Sequence, residues 1–256
     1  MLSEERRMKI FEYLKSKTSA TTDELIEKFN ASGSTIRRDL EYLANKQLIR
    51  RTHSGAIVNT PYTEGSFIVN YNFMKEEKQK IAKKALKLIE NNDFIALSGG
   101  TTSYMLALEI IDSLLRDLTI LTNSVNISTL IIESIKDFRL ILTGGIPRKG
   151  SYECIGEIAL RTIRNFNIDK FFVGVNGISI EGGITFSNVE EAEIAKEVHY
   201  HSFKTYVIAD HTKFGIIKPA RTLEVSEIDG LITDQVPDDF KSKLLSVNVS
   251  KNFKVI

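Results

Sequence analysis

The chain has 256 residues, 42% hydrophobic and 26% charged, a composition typical of globular proteins with more than one domain. Its single cysteine, Cys154, excludes an intrachain disulfide and a cysteine-based metal cluster, and we expect neither metal nor cofactor. The first residues lack the apolar core of a signal peptide, and no run is long enough to cross a membrane, which predicts an intracellular, cytoplasmic protein.

Charge is unevenly distributed along the chain. Residues 1–58 carry 11 Lys and Arg against 8 Asp and Glu, whereas the rest carries 23 against 25, within a net charge of only +1. A basic excess confined to the start of a chain is typical of a small nucleic-acid-binding domain.

Three amphipathic helices are predicted at the start of the chain. The first spans residues 3–16, the second begins at Thr21 with Glu24 at capping-box spacing, and the third follows Ser32, a good N-cap. Their apolar stripes recur at helical spacing and comprise Ile10, Phe11 and Leu14, then Leu25, Ile26 and Phe29, then Ile36, Leu40 and Leu43. With a short turn at residues 30–31, this order predicts a helix-turn-helix domain.

The third helix and the segment after it carry the candidate DNA contacts. Short hydroxyls and adjacent arginines at a helix N-terminus suit the major groove, where the first turn touches bases and phosphates. Residues 48–58, apolar at both ends with a polar middle, predict a β-hairpin wing that reaches phosphates or a minor groove. The candidate residues are Ser34, Thr35, Arg37, Arg38, Arg50, Arg51 and His53. The alternative for the third helix is an ordinary surface helix with solvated arginines. The alternative for His53 is a turn residue without a DNA contact.

A linker and an α/β domain are predicted after the wing at residue 58. Residues 59–74 form the linker and its continuation, with 67–74 expected to be extended, and residues 75–256 form the second domain, opening on a charged helix. Short apolar strands then alternate with helices, at 94–97, 119–122, 140–143, 171–174, 206–209 and 231–233. This alternation predicts a parallel sheet buried on both faces, with ligands beyond the carboxyl ends of its strands.

Polar clusters follow these strands, and the loop 98–102 is the most distinctive of them. Its glycines let backbone N–H groups converge, the next helix adds its positive end, and two threonines add hydroxyls. Together with the polar clusters after the other strands, these features favour a phosphate-binding loop over a plain strand-to-helix turn. It is not a Walker loop, since the Gly-Lys-Ser/Thr ending is missing. The candidate effector-binding residues are Gly99, Gly100, Thr101, Thr102, Asn176, Asp210 and Lys213.

Simpler roles are open for several of these polar residues. The sequence around Lys213 is also consistent with a solvated surface lysine, and that around Asp210 with a helix cap. Glu190, Glu191 and Glu193 are typical of a solvated first helical turn stabilised by the helix dipole, a role we expect for at least two of them.

Motifs in both halves resemble DeoR-type bacterial transcription regulators. In the first half they are Arg6, Ile10 and Leu14, then Ser32-x-x-Thr35-Ile36-Arg37-Arg38-Asp39-Leu40, and the wing at 50–55. In the second half they include 98–102, Thr122-Asn123-Ser124, Asn176-Gly177 and Ala209-Asp210-x-x-Lys213. The resemblance spans nearly the whole chain. It implies a winged helix-turn-helix followed by a parallel α/β domain that is similar in fold to ribose-5-phosphate isomerase and binds phosphorylated sugars as inducers.

The sequence departs from the pattern of these regulators in ways that change the expected pocket. Ser98-Gly99 stands where Asp-Ser is common, Asn176 where Asp is common, and Ser179 where Asp is frequent. Phe186-Ser187-Asn188 replaces a frequent Thr-Pro-Asp, and the wing has Ser54 where many members have glycine. Carboxylates are therefore missing, so phosphate recognition is better preserved than recognition of sugar hydroxyls.

We therefore predict a transcriptional repressor of a sugar-metabolism operon that binds double-stranded operator DNA under the control of a phosphorylated sugar. We expect a homo-oligomer, a dimer or tetramer, with no membrane partner and no catalytic residue. The alternative is a sugar-phosphate isomerase, which needs a base and a polarising partner; Asn176 and Ser179 are neutral where such groups are expected. A DNA-only architectural protein ranks third.

Overall fold

The computed structural model describes residues 3–17, 19–45, 48–58, 67–247 and 253–256. The chain divides into two compact units, Met1–Phe73 and Met74–Ile256. The central part of the predicted linker, residues 59–66, lies outside the described residues, so the proposed boundaries at 58 and 75 stay predictions. Within the described ranges, no helix combines the length and apolar character needed to cross a bilayer.

The first unit combines helices with a small antiparallel sheet. The helices are α1 (Ser3–Lys17), α2 (Thr22–Phe29) and α3 (Gly33–Asn45), and the strands are β1 (Ser19–Thr21), β2 (Ile49–Arg51) and β3 (Gly55–Val58). Strands β2 and β3 form the predicted hairpin, while β1, which the sequence did not indicate, pairs with the other side of β3. The predicted stripes meet in one core, in which Ile10, Leu14, Leu25, Ile36 and Leu40 are fully buried.

Side-chain caps start α2 and α3 where the sequence predicts them. Thr21 Oγ1 accepts from Glu24 N at 3.2 Å, and Ser32 Oγ accepts from Thr35 N at 3.2 Å. Between these helices, Asn30 adopts a left-handed conformation (φ 46°), which ends α2 and makes the short turn. The helix-turn-helix prediction is thereby confirmed.

The prediction of an extended segment over residues 67–74 is wrong. Residues Phe67–Asn72 form a helix, α4, and a second helix, α5 (Lys75–Leu86), follows after Met74, whose left-handed φ of 52° separates the two. Phe67 and Tyr71 lie one helical turn apart and their rings stack at 6.0 Å, a contact that favours the helix.

The second unit is built around a seven-stranded parallel sheet. Its strands are β4 (Phe94–Leu97), β5 (Thr119–Thr122), β6 (Arg139–Leu142), β9 (Ile168–Gly174), β12 (Ser202–Ile208), β14 (Gly230–Ile232) and β15 (Lys254–Val255). Their order is β15-β14-β12-β9-β4-β5-β6, and all pairs are parallel. This confirms the predicted α/β architecture; among the strands of this sheet, the two-residue β15 was not expected.

Helices and short antiparallel pairs surround this sheet. The helices are α6 (Thr101–Asp112), α7 (Val125–Ile132), α8 (Glu157–Ile163), α9 (Val189–Tyr200) and α10 (Asp238–Leu244), and a 3-10 helix spans His211–Lys213. A hairpin pairs β7 (Ile146–Pro147) with β8 (Cys154–Ile155), and a small sheet joins β10 (Gly177–Ser179), β11 (Gly183–Phe186) and β13 (Ala220–Leu223). Because the large sheet is parallel, the polar segments that follow β4, β5, β9 and β12 all start from one edge.

Candidate functional site

The outer face of α3 carries the candidate DNA contacts of the first unit. Ile36 and Leu40 are fully buried, whereas Ser34, Arg37 and Arg38 are exposed. At the start of the helix, the Ser32 hydroxyl lies 3.0 Å from Ser34 Oγ and 2.8 Å from that of the half-buried Thr35. Hydroxyls and guanidinium groups therefore share one solvent-facing end of α3.

A buried carboxylate holds this helix against α1. Asp39 is 1% exposed and accepts from Arg6 Nε at 2.6 Å and Arg7 Nε at 2.9 Å. The Arg7 guanidinium also lies 4.2 Å from the centre of the Tyr42 ring, a cation–π distance. These contacts fix the orientation of α3, a role of Asp39 that its place in the sequence motif alone did not reveal.

The wing presents the remaining candidate DNA contacts to solvent. Arg50, Arg51 and His53 are all exposed. The turn between β2 and β3 is closed by a hydrogen bond from Thr52 N to Gly55 O at 3.0 Å. The structure therefore makes these three side chains accessible on one hairpin, as the sequence predicted.

In the second unit, the glycine loop leads directly into α6. Gly100 has a φ of +91°, which favours glycine, and it precedes the helix without a side-chain cap among the described residues. An α-helix leaves its first N–H groups without intrahelical partners, and Gly100 has no side chain that could cap those of α6. Thr101 and Thr102 are each 8% exposed, and Ser98 Oγ ties the loop to β9 by accepting from Gly174 N at 2.9 Å.

The other candidate effector residues have local structural roles. Asn176 Oδ1 accepts from Ser187 N at 2.9 Å. Asp210 is fully buried and caps the 3-10 helix by accepting a hydrogen bond from Thr212 N at 3.0 Å. The helix-cap role that the sequence allowed for Asp210 is therefore present. Its Oδ2 atom has no hydrogen-bond partner within the described residues. Lys213, half-buried, ends the same 3-10 helix.

A small cavity, with room for about one water molecule, lies between the carboxyl edge of the sheet and α9. It has an apolar floor and a polar rim, and its lining residues are Ala96, Leu97, Ser98, Leu121, Asn123, Thr143, Glu153, Phe171, Phe186, Glu191, Ile194, Ala195 and Val198. Ser98 immediately precedes the glycine loop. Within the described residues, the lining does not include the seven candidate effector residues.

Two carboxylates on the cavity rim were not selected from the sequence. Glu191 is 4% exposed and forms an ion pair with Arg148, while Glu153 accepts from Asn123 Nδ2 at 3.2 Å. Glu190 and Glu193 are exposed as expected, so Glu191 is the exception among the three. The helical period of the sequence could have indicated that Glu191 is buried, because Glu191 lies on the same face of α9 as Ile194, Ala195 and Val198.

Burial and charge also change the chemistry of the neighbouring thiol. Desolvation, and then the Glu153 carboxylate, raise the pKa of Cys154 above its usual value. Cys154 is buried in β8, and both effects disfavour its thiolate form.

A winged helix-turn-helix joined in one chain to a parallel α/β domain is the plan of a ligand-responsive DNA-binding regulator. The DeoR-like helix-turn-helix domain matches residues 6–62, and the DeoR C terminal sensor domain matches residues 74–235. The chain belongs to the DeoR family of transcriptional regulators.

Curated relatives extend over almost the whole chain. The glycerol-3-phosphate regulon repressor of Escherichia coli is 32% identical over 243 residues, covering 93% of each chain. The HTH-type transcriptional repressor GlcR of Bacillus subtilis is 31% identical over 249 residues, covering 97% of this chain and 95% of its own. Among solved structures, ribose 5-phosphate isomerase of Methanocaldococcus jannaschii is similar with a TM-score of 0.42 and 17% identity, covering 55% of each chain.

Proposed function

We propose that this protein represses a sugar-metabolism operon in the cytoplasm, binding operator DNA through α3 and the wing until a phosphorylated sugar changes its affinity. The observation that carries the proposal is the division of α3 into a buried face anchored through Asp39 and an exposed face that carries Arg37 and Arg38. The repressor names of both curated relatives support the direction of regulation.

The DNA contacts divide into those that read bases and those that bind phosphates. We assign base reading to Ser34, Thr35, Arg37 and Arg38 of α3 and phosphate contacts to Arg50, Arg51 and His53 of the wing, following the usual division for this motif. A homo-oligomer would pair two such units on a promoter and raise affinity through effective concentration.

Substitution of one arginine from each group tests the assignment. Arg37→Ala should remove the preference for the protein's own promoter, at a cost of about 1–3 kcal/mol, whereas Arg50→Ala should weaken binding to all duplexes about equally. Fluorescence anisotropy with promoter and random duplexes at two salt concentrations measures both, with the exposed Glu41→Ala as control. An Arg37→Ala protein that keeps its operator preference would contradict the role of α3.

For the effector, we propose that the phosphate binds the loop at Gly99, Gly100, Thr101 and Thr102, with Asn176, Asp210 and Lys213 near the sugar. The uncapped N-terminus of α6 supports the phosphate position, and the unpartnered Asp210 Oδ2 can accept a ligand hydroxyl. The ligand must bind one state better than the other, with a typical coupling of about 1–3 kcal/mol. Calorimetry of free and DNA-bound protein with a panel of sugar phosphates tests this, and equal affinities would exclude the switch.

We further propose that the sensor domain binds its effector without converting it. Asn176 Oδ1 and Ser179 Oγ accept backbone N–H groups, from Ser187 at 2.9 Å and from Gly182 at 2.7 Å, and both side chains are neutral. Neither supplies the base that an isomerase needs. Incubation with ribose 5-phosphate, followed by an assay for ribulose 5-phosphate, distinguishes the two functions; product formation would favour the isomerase.

A further inference from the structure

Strand β6 forms an edge of the seven-stranded sheet, and its only neighbour among the described strands is β5. The opposite edge, β15, has two residues, whereas β6 has four, contains no proline, and carries its one charge, Arg139, at its first position. Exposed edges without such protection favour pairing with another strand. Our inference rests on the proposed homo-oligomer: we propose that β6 pairs with β6 of a second copy of this chain, antiparallel about a twofold axis.

The main chain of β6 presents hydrogen-bonding groups to its outer side. The N–H groups of Arg139 and Thr143 donate to carbonyls in and next to β5 at 2.9 and 3.0 Å. Because backbone groups alternate in direction along a strand, Leu140 and Leu142 point theirs away from β5. Within the described residues no strand lies on that side to accept them. A further strand is therefore needed to complete the ladder.

The register follows from the length of this segment. Full overlap of residues 139–143 with the same residues of a second copy places Ile141 on the twofold axis and sets Leu140 opposite Leu142 of the second copy. Each such pair exchanges two hydrogen bonds, so all the outward groups of both copies are used. Arg139 then lies opposite the neutral Thr143, and like charges do not meet. The edge is thus self-complementary, as an interface about a twofold axis must be.

Apolar side chains meet on both faces of the sheet in this register. Ile141 packs against the main core of the unit, so Leu140 and Leu142, its neighbours in the strand, face the opposite side. Leu142 is exposed and the other two are half-buried, whereas β4 and β5 are almost wholly buried. A second copy would cover the apolar surface that β6 leaves in solvent.

Exposed side chains from the adjoining segments enlarge this surface. Ile132 ends α7, which leads to β6, and Ile146 and Ile158 belong to β7 and α8, which follow it; all three are 56–72% exposed. Ile158 lies beside the end of β6, because a Cβ added to Gly144 would be 3.8 Å from its Cγ2.

The apolar area is of the size that a dimer needs. At roughly 100 Å² for each fully exposed isoleucine or leucine, the side chains of β6 and its adjoining segments offer on the order of 300 Å². Both copies together would bury about 600 Å², some two thirds of the roughly 900 Å² of apolar area in a standard interface.

Disulfide cross-linking tests the register. The two copies of residue 141 would form a non-hydrogen-bonded pair with Cα atoms about 4.5 Å apart, which a disulfide can span. Ile141→Cys should therefore give a covalent dimer under mild oxidation. Leu140→Cys is the matched control, because its two copies would be diagonal neighbours about 7–8 Å apart, too far for a disulfide. The native Cys154 is buried, so the wild-type chain should stay unlinked.

Sedimentation of the full-length chain over a concentration series tests the pairing itself. Leu142→Lys places a charge on the edge, and the twofold axis introduces it twice, so we expect the dissociation constant of the pairing to rise roughly tenfold or more. Phe203→Lys is the matched control, since Phe203 is an exposed apolar residue on β12, an inner strand, and should leave association unchanged.

The outcomes separate this inference from the proposed function. A Leu142→Lys protein that associates like the wild type, or equal cross-linking of the two cysteine variants, overturns the pairing and leaves the proposed homo-oligomer intact. A monomeric wild-type protein that prefers its operator overturns the pairing and the homo-oligomer but leaves repression standing. Should Ile141→Cys fail to fold, Leu142→Lys, at an exposed position, still decides the question.

Discussion

Replacing Asp39 by alanine should selectively destabilise the DNA-binding unit. The carboxylate is 1% exposed, while its partners Arg6 and Arg7 are 15% and 25% exposed. Removing one partner of a buried ion pair costs about 3–5 kcal/mol, and we expect about 3 kcal/mol because both arginines can rehydrate. A unit of this size has a total stability of roughly 4–11 kcal/mol, so the loss is a large fraction of it.

Hydrogen exchange of the full-length protein measures this loss directly. A loss of about 3 kcal/mol raises the exchange rate of the protected amides of α1 and α3 by roughly 100- to 200-fold, since each 1.4 kcal/mol is a factor of ten. Amides of α6, in the other unit, should be unaffected. The control is Glu41→Ala, an exposed residue of α3. If Asp39→Ala exchanged no faster than this control, the carboxylate would not anchor α3 and the reasoning would fail.

Three further predictions concern the sensor domain. Asn188→Ala removes the cap of α9 and should cost about 0.5–2 kcal/mol in urea unfolding, whereas Asn188→Ser should retain most of that stability. Gly100→Ala meets no atom within 4 Å but forces alanine to φ +91°, so we expect a loss of about 1–2 kcal/mol from backbone strain alone; no change in the urea midpoint would contradict this. Burial lowers the pKa of His199 in the folded state, so the unfolded chain binds the proton first and stability should fall as pH drops below about 6.5. Melting temperatures at pH 7.5 and 5.5 check this, and His199→Gln should show a smaller difference between the two.

The main features of the fold could be predicted because they depend on local patterns. The strands at 94–97 and 119–122 were predicted with the bounds that the structure has, since each is a short run buried on both faces and followed by a polar turn. Thr21 and Ser32 cap their helices as predicted, because a cap depends on neighbours only three residues away.

Features that depend on distant partners could not be predicted. Strand β1 has three residues and exists through its pairing with β3, more than 30 positions later. The local helical period places Glu191 on the buried face of α9, but its partner Arg148 lies 43 residues away and cannot be read from the local sequence. The helix at 67–72 was missed because aromatic and β-branched residues also favour strands.

The proposed effector site is assembled from three separated segments, at residues 99–102, 176 and 210–213, and this has a consequence for the lifetime of the protein. An unfolded chain cannot hold these positions together, so a metabolite bound there stabilises the native state, by about 2.7 kcal/mol at a hundred times its Kd. Degradation in cells follows the population of unfolded chains, which this stabilisation lowers. Nutrient supply would then set the cellular amount of the regulator as well as its occupancy of promoters.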